Sequence, residues 1–64
     1  MRVIDTSGPD GNAFVLMGYA KRFGRQLGWS REKIDTLIKE MMSGDYDNLT
    51  ATFEEAFEGI VELV

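Results

Sequence analysis

Neither cysteine nor histidine occurs in the 64 residues of this chain, and that double absence constrains the fold more than any motif the chain carries. A domain of this length buries only about 60% of the surface its unfolded chain exposes, and small folds usually make up the deficit with a disulfide, a metal ion or a partner subunit. Without thiols or imidazoles there can be no disulfide, no Cys/His zinc site, no Ser-His-Asp or Cys-His catalysis and no imidazole switch near neutral pH. Self-association is the reinforcement that remains, so a homo-oligomer is expected. With 44% hydrophobic and 28% charged residues and one proline, the chain is too apolar for disorder and too mixed for a membrane span. Its length allows a single domain over residues 1–64.

The charges are polarised along the chain. Up to Gly44 seven bases meet five acids, whereas from Asp45 onward six acids meet no base, and the whole carries −4. Such a balance argues against nonspecific adhesion to nucleic acid or anionic lipid. No apolar run approaches the roughly 18 residues of a membrane span and no basic leader opens the chain. A cytoplasmic protein without a membrane partner is expected.

Punctuation by turn residues divides the sequence into five elements. Arg2 to Thr6 is a short β-prone run, and Ser7-Gly8-Pro9-Asp10-Gly11 is dense in turn formers, with Pro9 suited to the second position of a type I turn and Gly11 to its fourth. Asn12 stands as an N-cap for a first helix over Ala13 to Leu27, in which Ala13, Leu16, Met17, Ala20, Phe23 and Leu27 recur at helical spacing. Phe14, Val15 and Tyr19 lie off that stripe and give the helix a second apolar surface. Gly28 suits a left-handed position past the helix end, and Ser30 an N-cap. A second helix then runs from about Arg31 to Ser43 on a stripe of Ile34, Leu37, Ile38, Met41 and Met42, stopped by Gly44. Asp47 or Asn48 is expected to cap a third, with Leu49, Phe53, Ala56 and Phe57 on its apolar face.

The tail Ile60-Val61-Glu62-Leu63-Val64 follows Gly59 and is rich in β-branched residues. It could prolong the third helix, but as a strand it supplies a mate for Met1 to Thr6, whose backbone groups would otherwise go unpaired. The expected fold is α+β: three short helices with a terminal two-stranded ribbon, βαααβ, which an oligomer interface could extend.

The sharpest candidate site is the turn that leads from the first strand into the first helix. Ser7, Gly8, Asp10, Gly11 and Asn12 could aim backbone N–H groups at an anion from the positive end of a helix dipole. The spacing of a Walker loop and that of a dinucleotide-binding glycine motif are both absent. The plainer reading is a well-made turn and helix cap. Lys21, Arg22 and Arg25 fall on one side of the first helix and could assist an anionic ligand, a nucleic acid or the acidic end of a neighbouring copy, or form a solvated face. Glu54 and Glu58 repel at four-residue spacing with no lysine to relieve them, so Glu54, Glu55 and Glu58 form a candidate contact surface for a basic protein partner. The acidic residues lack the ligand spacing of a calcium loop, and neither a metal site nor a cofactor is expected.

Phe23 to Leu37 also has the form of a helix-turn-helix. Small Gly24, Gly28 in the turn and Ile34 would let two helices cross closely, with Ser30, Arg31, Lys33, Thr36 and Lys39 facing DNA. Glu32, Asp35 and Glu40 share that second helix and oppose phosphate contact, so an ordinary helical hairpin competes with the DNA reading and nucleic acid is the less favoured partner.

Four segments together, Gly8-Pro9-x-Gly11-Asn12-Ala13-Phe14, Gln26-Leu27-Gly28, Ser43-Gly44-Asp45-Tyr46 and Phe53-x-x-x-Phe57, resemble small, largely uncharacterised accessory proteins of bacteriophages and prophages. The resemblance spans nearly the whole chain and implies a context, not a chemistry: a phage protein in the host bacterial cytoplasm that disables a host factor or sequesters a small signal. The expected function is therefore non-enzymatic, the binding of a small, nucleotide-like anion by a homo-oligomer. Inhibition of a host protein through the acidic helix and DNA binding through the second helix are the alternatives.

Overall fold

The computed structural model describes residues 2–64 with the exception of the Asp10 side chain, so Met1 of the expected first strand and the Asp10 carboxylate of the candidate loop lie outside the described residues. In chain order the elements are β1 (Arg2–Ile4), a single 3-10 turn (Pro9–Gly11), α1 (Ala13–Gln26), α2 (Arg31–Met41), α3 (Tyr46–Ala56) and β2 (Val61–Leu63). This is the α+β, βαααβ arrangement that the pattern predicts, with the tail a strand. The two strands are parallel, Arg2 opposite Val61 and Ile4 opposite Leu63. Parallel neighbours cannot be joined by a tight turn and need a crossover. All three helices form it here. The pairing continues past the strands, with Thr6 N donating to Val64 O at 2.8 Å and Val64 N to Ile4 O at 2.9 Å.

Each helix opens on a side-chain cap that satisfies a backbone N–H with no partner inside the helix. Asn12 Oδ1 accepts from Phe14 N at 2.8 Å, Ser30 Oγ from Lys33 N at 3.1 Å and Asp45 Oδ1 from Asn48 N at 2.9 Å. The third cap corrects the sequence reading, since Asp45 holds it and Asp47 and Asn48 already lie inside α3. The Asn48 side chain works across helices instead, its Nδ2 donating to Glu40 O at 3.0 Å and tying the start of α3 to the end of α2.

At the other ends of the helices, Gly28 and Gly59 adopt φ of 78° and 80°, the left-handed geometry expected of residues that follow a helix. α2 stops at Met41, short of Ser43, where the Ser43 hydroxyl donates to Glu40 O at 2.7 Å and occupies a terminal carbonyl. Leu27 and Met42, expected on the apolar stripes, are the C-cap residues of α1 and α2, and their side chains are 45% and 63% exposed. The helical screw ends before it can carry them to the core.

What remains of the stripes forms one cluster: Ile4 and Val61 from the strands, Leu16, Ala20 and Phe23 from α1, Leu37 and Met41 from α2, Leu49 and Phe53 from α3, and Phe57 just beyond it. Aromatic rings run through its centre. Phe57 meets Phe23 edge-on at 5.7 Å, Phe53 at 5.0 Å and Trp29 face to face at 5.2 Å. Each such pair adds about 0.5–1.5 kcal/mol beyond the area it buries. Ring packing thus joins α1, α3 and the α1–α2 turn in a chain that has no cross-link. On the second apolar surface of α1, Tyr19 stacks on Phe23 at 5.6 Å, whereas Phe14 stays 79% exposed.

Candidate functional site

The Ser7–Asn12 loop is held by its own hydrogen bonds. Gly11 N donates to Gly8 O at 3.0 Å, closing the turn expected around Pro9, and Asn12 N donates to Pro9 O at 3.4 Å. Ser7 donates twice to Asp5 Oδ1, from its N–H at 2.9 Å and from its hydroxyl at 2.6 Å. The N–H groups of Ser7, Gly11 and Asn12 are thus engaged within the chain. The Ser7 hydroxyl, and after it the Ser7 N–H, hold the Asp5 carboxyl below its ordinary value of 3.8. The loop thus already binds a carboxylate of its own, and a second anion there would meet Asp5.

Gly11 also packs tightly. A β-carbon on it would stand 1.9 Å from the carbonyl oxygen of Thr6, so the chain passes over itself where only glycine fits. On the other side the Tyr46 hydroxyl donates to Gly11 O and ties the turn to the first residue of α3. These contacts describe a turn and cap built to hold β1 and α1 together.

The basic side chains of α1 lie elsewhere. Lys21 is eight residues beyond Ala13, about 12 Å along the axis at the usual helical rise. The structure therefore does not gather Lys21, Arg22 and Arg25 around the Ser7–Asn12 loop. Lys21 and Arg25 instead join Arg31 and Asp35 of α2 around a cleft of about 480 Å³ floored by Trp29 and Ile34. Arg22 lines a separate depression beside Val15, Gly18 and Tyr19. In the sequence Arg31 stands apart from the α1 cluster, and nothing in the spacing shows that a close helix crossing brings it alongside Lys21 and Arg25.

That crossing is made at Gly24, whose absent side chain leaves room for Ile34 of α2. The helix-turn-helix form is present to this extent, and Ser30, Arg31, Lys33, Thr36 and Lys39 are all exposed. The same helix carries Glu32, Asp35 and Glu40, as many carboxylates as cations. Trp29 stacks on Phe57 and has the Lys33 ammonium over its ring at 4.3 Å from the centroid. A base could stack there only by displacing Lys33.

Glu54, Glu55 and Glu58 are exposed as expected and do come together. With Glu62 of β2 they line a groove of about 440 Å³ floored by Gly59 and Val61, with no basic side chain among the described residues of its walls. Glu62 joins them because β2 turns back beside the end of α3, which the helical spacing could not reveal. A larger opening of about 600 Å³ between α2 and α3 sets Lys33 against Glu32 and Glu40. One cation against two carboxylates leaves it weakly negative, which does not suit an anion.

Among the described residues no three acidic side chains gather in a way that could hold a metal ion, and no helix is long and apolar enough to cross a membrane. No protein-family model, curated protein or solved structure matches this chain.

Proposed function

We propose that the protein is a non-enzymatic binding module that holds a small anionic ligand in the cleft between α1 and α2. The observation that carries this reading is the convergence of Lys21, Arg25 and Arg31 on one opening with Asp35 as the sole carboxylate among the described residues that line it. Guanidinium groups pair with phosphate or carboxylate through two parallel hydrogen bonds, and two of them on facing helices can grip one anion from both sides. The volume falls within the usual range for small-molecule sites, about 300–1,000 Å³. Nucleotide-like ligands suit the cleft through their phosphates, with the base left outside because Lys33 covers Trp29. Such a module suits an accessory phage protein in a bacterial cytoplasm that sequesters a signal.

Calorimetric titration with inorganic phosphate and with a nucleoside triphosphate tests this. Saturable heat is expected, weakened about tenfold or more by Arg25→Glu or Arg31→Glu, as for the loss of a charge-assisted hydrogen bond, and unchanged by Lys39→Glu, which is off the cleft. Absence of heat from either anion would sink the reading.

DNA binding through α2 has the Gly24–Ile34 crossing in its favour. The even mixture of cations and carboxylates on that helix opposes phosphate neutralisation, so no gel retardation at low salt is expected.

A further inference from the structure

We propose that the cleft between α1 and α2 also takes the acidic groove of a second copy of this chain, so that the protein dimerises through opposite charge. The inference rests on reading the cleft as an anion site, and it names a partner for it. Six of the seven basic residues lie on α1 and α2, and from Asp45 onward the chain has six acids and no base. The cleft presents Lys21, Arg25 and Arg31 and the groove presents Glu54, Glu55, Glu58 and Glu62, all of them exposed. Each has an apolar floor, Trp29 and Ile34 in one and Val61 in the other. Carboxylates gathered at the end of α3 and on β2 gain a neutralising surface when a copy docks, and cations crowded at the α1–α2 crossing gain the same.

Because each copy carries both surfaces, a two-fold pairing seats each cleft on the other copy's groove and closes the assembly at two.

Sedimentation and light scattering on the full chain decide the matter. A dimer is expected at low salt, dissociating towards about 1 M salt as the screening length falls from about 10 Å to about 3 Å. A cleft-reversed variant (Lys21→Glu, Arg25→Glu, Arg31→Glu) and a groove-reversed variant (Glu54→Lys, Glu55→Lys, Glu58→Lys) are each expected to be monomeric. Mixed in equal amounts, they should associate, because opposite charges again face each other. All six side chains are exposed, circular dichroism checks that each variant folds, and the milder pair Arg25→Glu and Glu58→Lys repeats the test with one change apiece. Lys39→Glu should leave the dimer intact. A wild-type monomer at low salt, continued association of either reversed variant alone, or a mixture that stays monomeric would overturn the proposal. Phosphate heat that depends on Arg25 in a strictly monomeric protein would remove the dimer and leave the small-anion reading standing. Salt-sensitive dimers with mixing rescue but no phosphate heat would do the reverse.

Discussion

A β-carbon on Gly24 would stand 2.8 Å from Cγ1 of Ile34, and the same atom would lie 3.2 Å from the Trp29 ring. The crossing of α1 over α2, and with it the cleft, depends on that missing methyl group. Gly24→Ala gains about 1 kcal/mol of helix propensity but overpacks a buried contact, which typically costs about 1–3 kcal/mol. Net destabilisation in urea unfolding is expected. On an Ile34→Ala background, which removes Cγ1, Gly24→Ala should cost less than it does alone; additive effects would show that the contact is not the cause.

The loop offers a harsher case. At Gly11 the obstacle is the Thr6 carbonyl, part of the backbone, which no rotamer change can move. Gly11→Ala should cost about 2 kcal/mol or more, at the severe end for single substitutions. Thermal unfolding would measure it.

The Asp5–Ser7 contact makes the loop sensitive to acid. A carboxyl whose folded value is depressed contributes stability above its unfolded value, and that contribution is lost as pH falls through the folded one. Asp5 should therefore favour the folded loop at neutral pH and cease to do so below its ordinary value of 3.8. Ser7→Ala should raise the Asp5 titration midpoint towards that value in carboxyl-carbon NMR. An unchanged midpoint would refute the assignment.

Caps give a third stability comparison. Asp45→Ala removes the acceptor for Asn48 N and should cost about 1 kcal/mol. Asp47→Ala, within the first turn of the helix, loses only a charge near the positive end of the dipole, worth about 0.3–1 kcal/mol. Chemical denaturation of the two variants should rank them in that order.

The single tryptophan reports on the cleft. Trp29 lines the opening together with Lys21, Arg25 and Arg31, so phosphate binding there should change its fluorescence. Arg31→Glu should abolish the change. A signal that survives the substitution would place the anion elsewhere.

Local chemistry made much of this fold legible. Asn12 and Ser30 have side chains short enough to fold back on the next turn, and Gly28 and Gly59 sit where only a left-handed residue ends a helix cleanly. These preferences act over four residues and need no tertiary information. The third cap was harder, because Asp45, Asp47 and Asn48 are all good cap residues in one short stretch. The bond from Asn48 to Glu40, which crosses from α3 to α2, helps fix the choice. Periodicity alone extended the stripes to Leu27 and Met42, and the actual ends of the helices withdrew them.

The site was legible only in pieces. Lys21 and Arg25 share a helical face, as a period of 3.6 residues requires, whereas Glu58, expected four residues along the same helix from Glu54, lies in the turn beyond the end of α3 and meets Glu54 and Glu55 from there. Arg31 and Glu62 belong to those clusters through the α1–α2 crossing and the return of β2. The spacing of charges within one helix cannot encode either. The Ser7–Asn12 loop looked like an anion cradle because its residue types suit one, and the structure shows the N–H groups of Ser7, Gly11 and Asn12 engaged by Asp5 and by the turn itself.

The parallel pairing of β1 with β2 also orders events in time. Residues 2–4 leave the ribosome long before residues 61–63, and three helices must be made between them. Until the late strand arrives, the early one has no neighbour for its amides, so the sheet can close only after synthesis has passed Leu63. Removing the stretch from Ile60 onward should strand Ile4 in water and leave a helical, loosely collapsed remnant for cellular proteases.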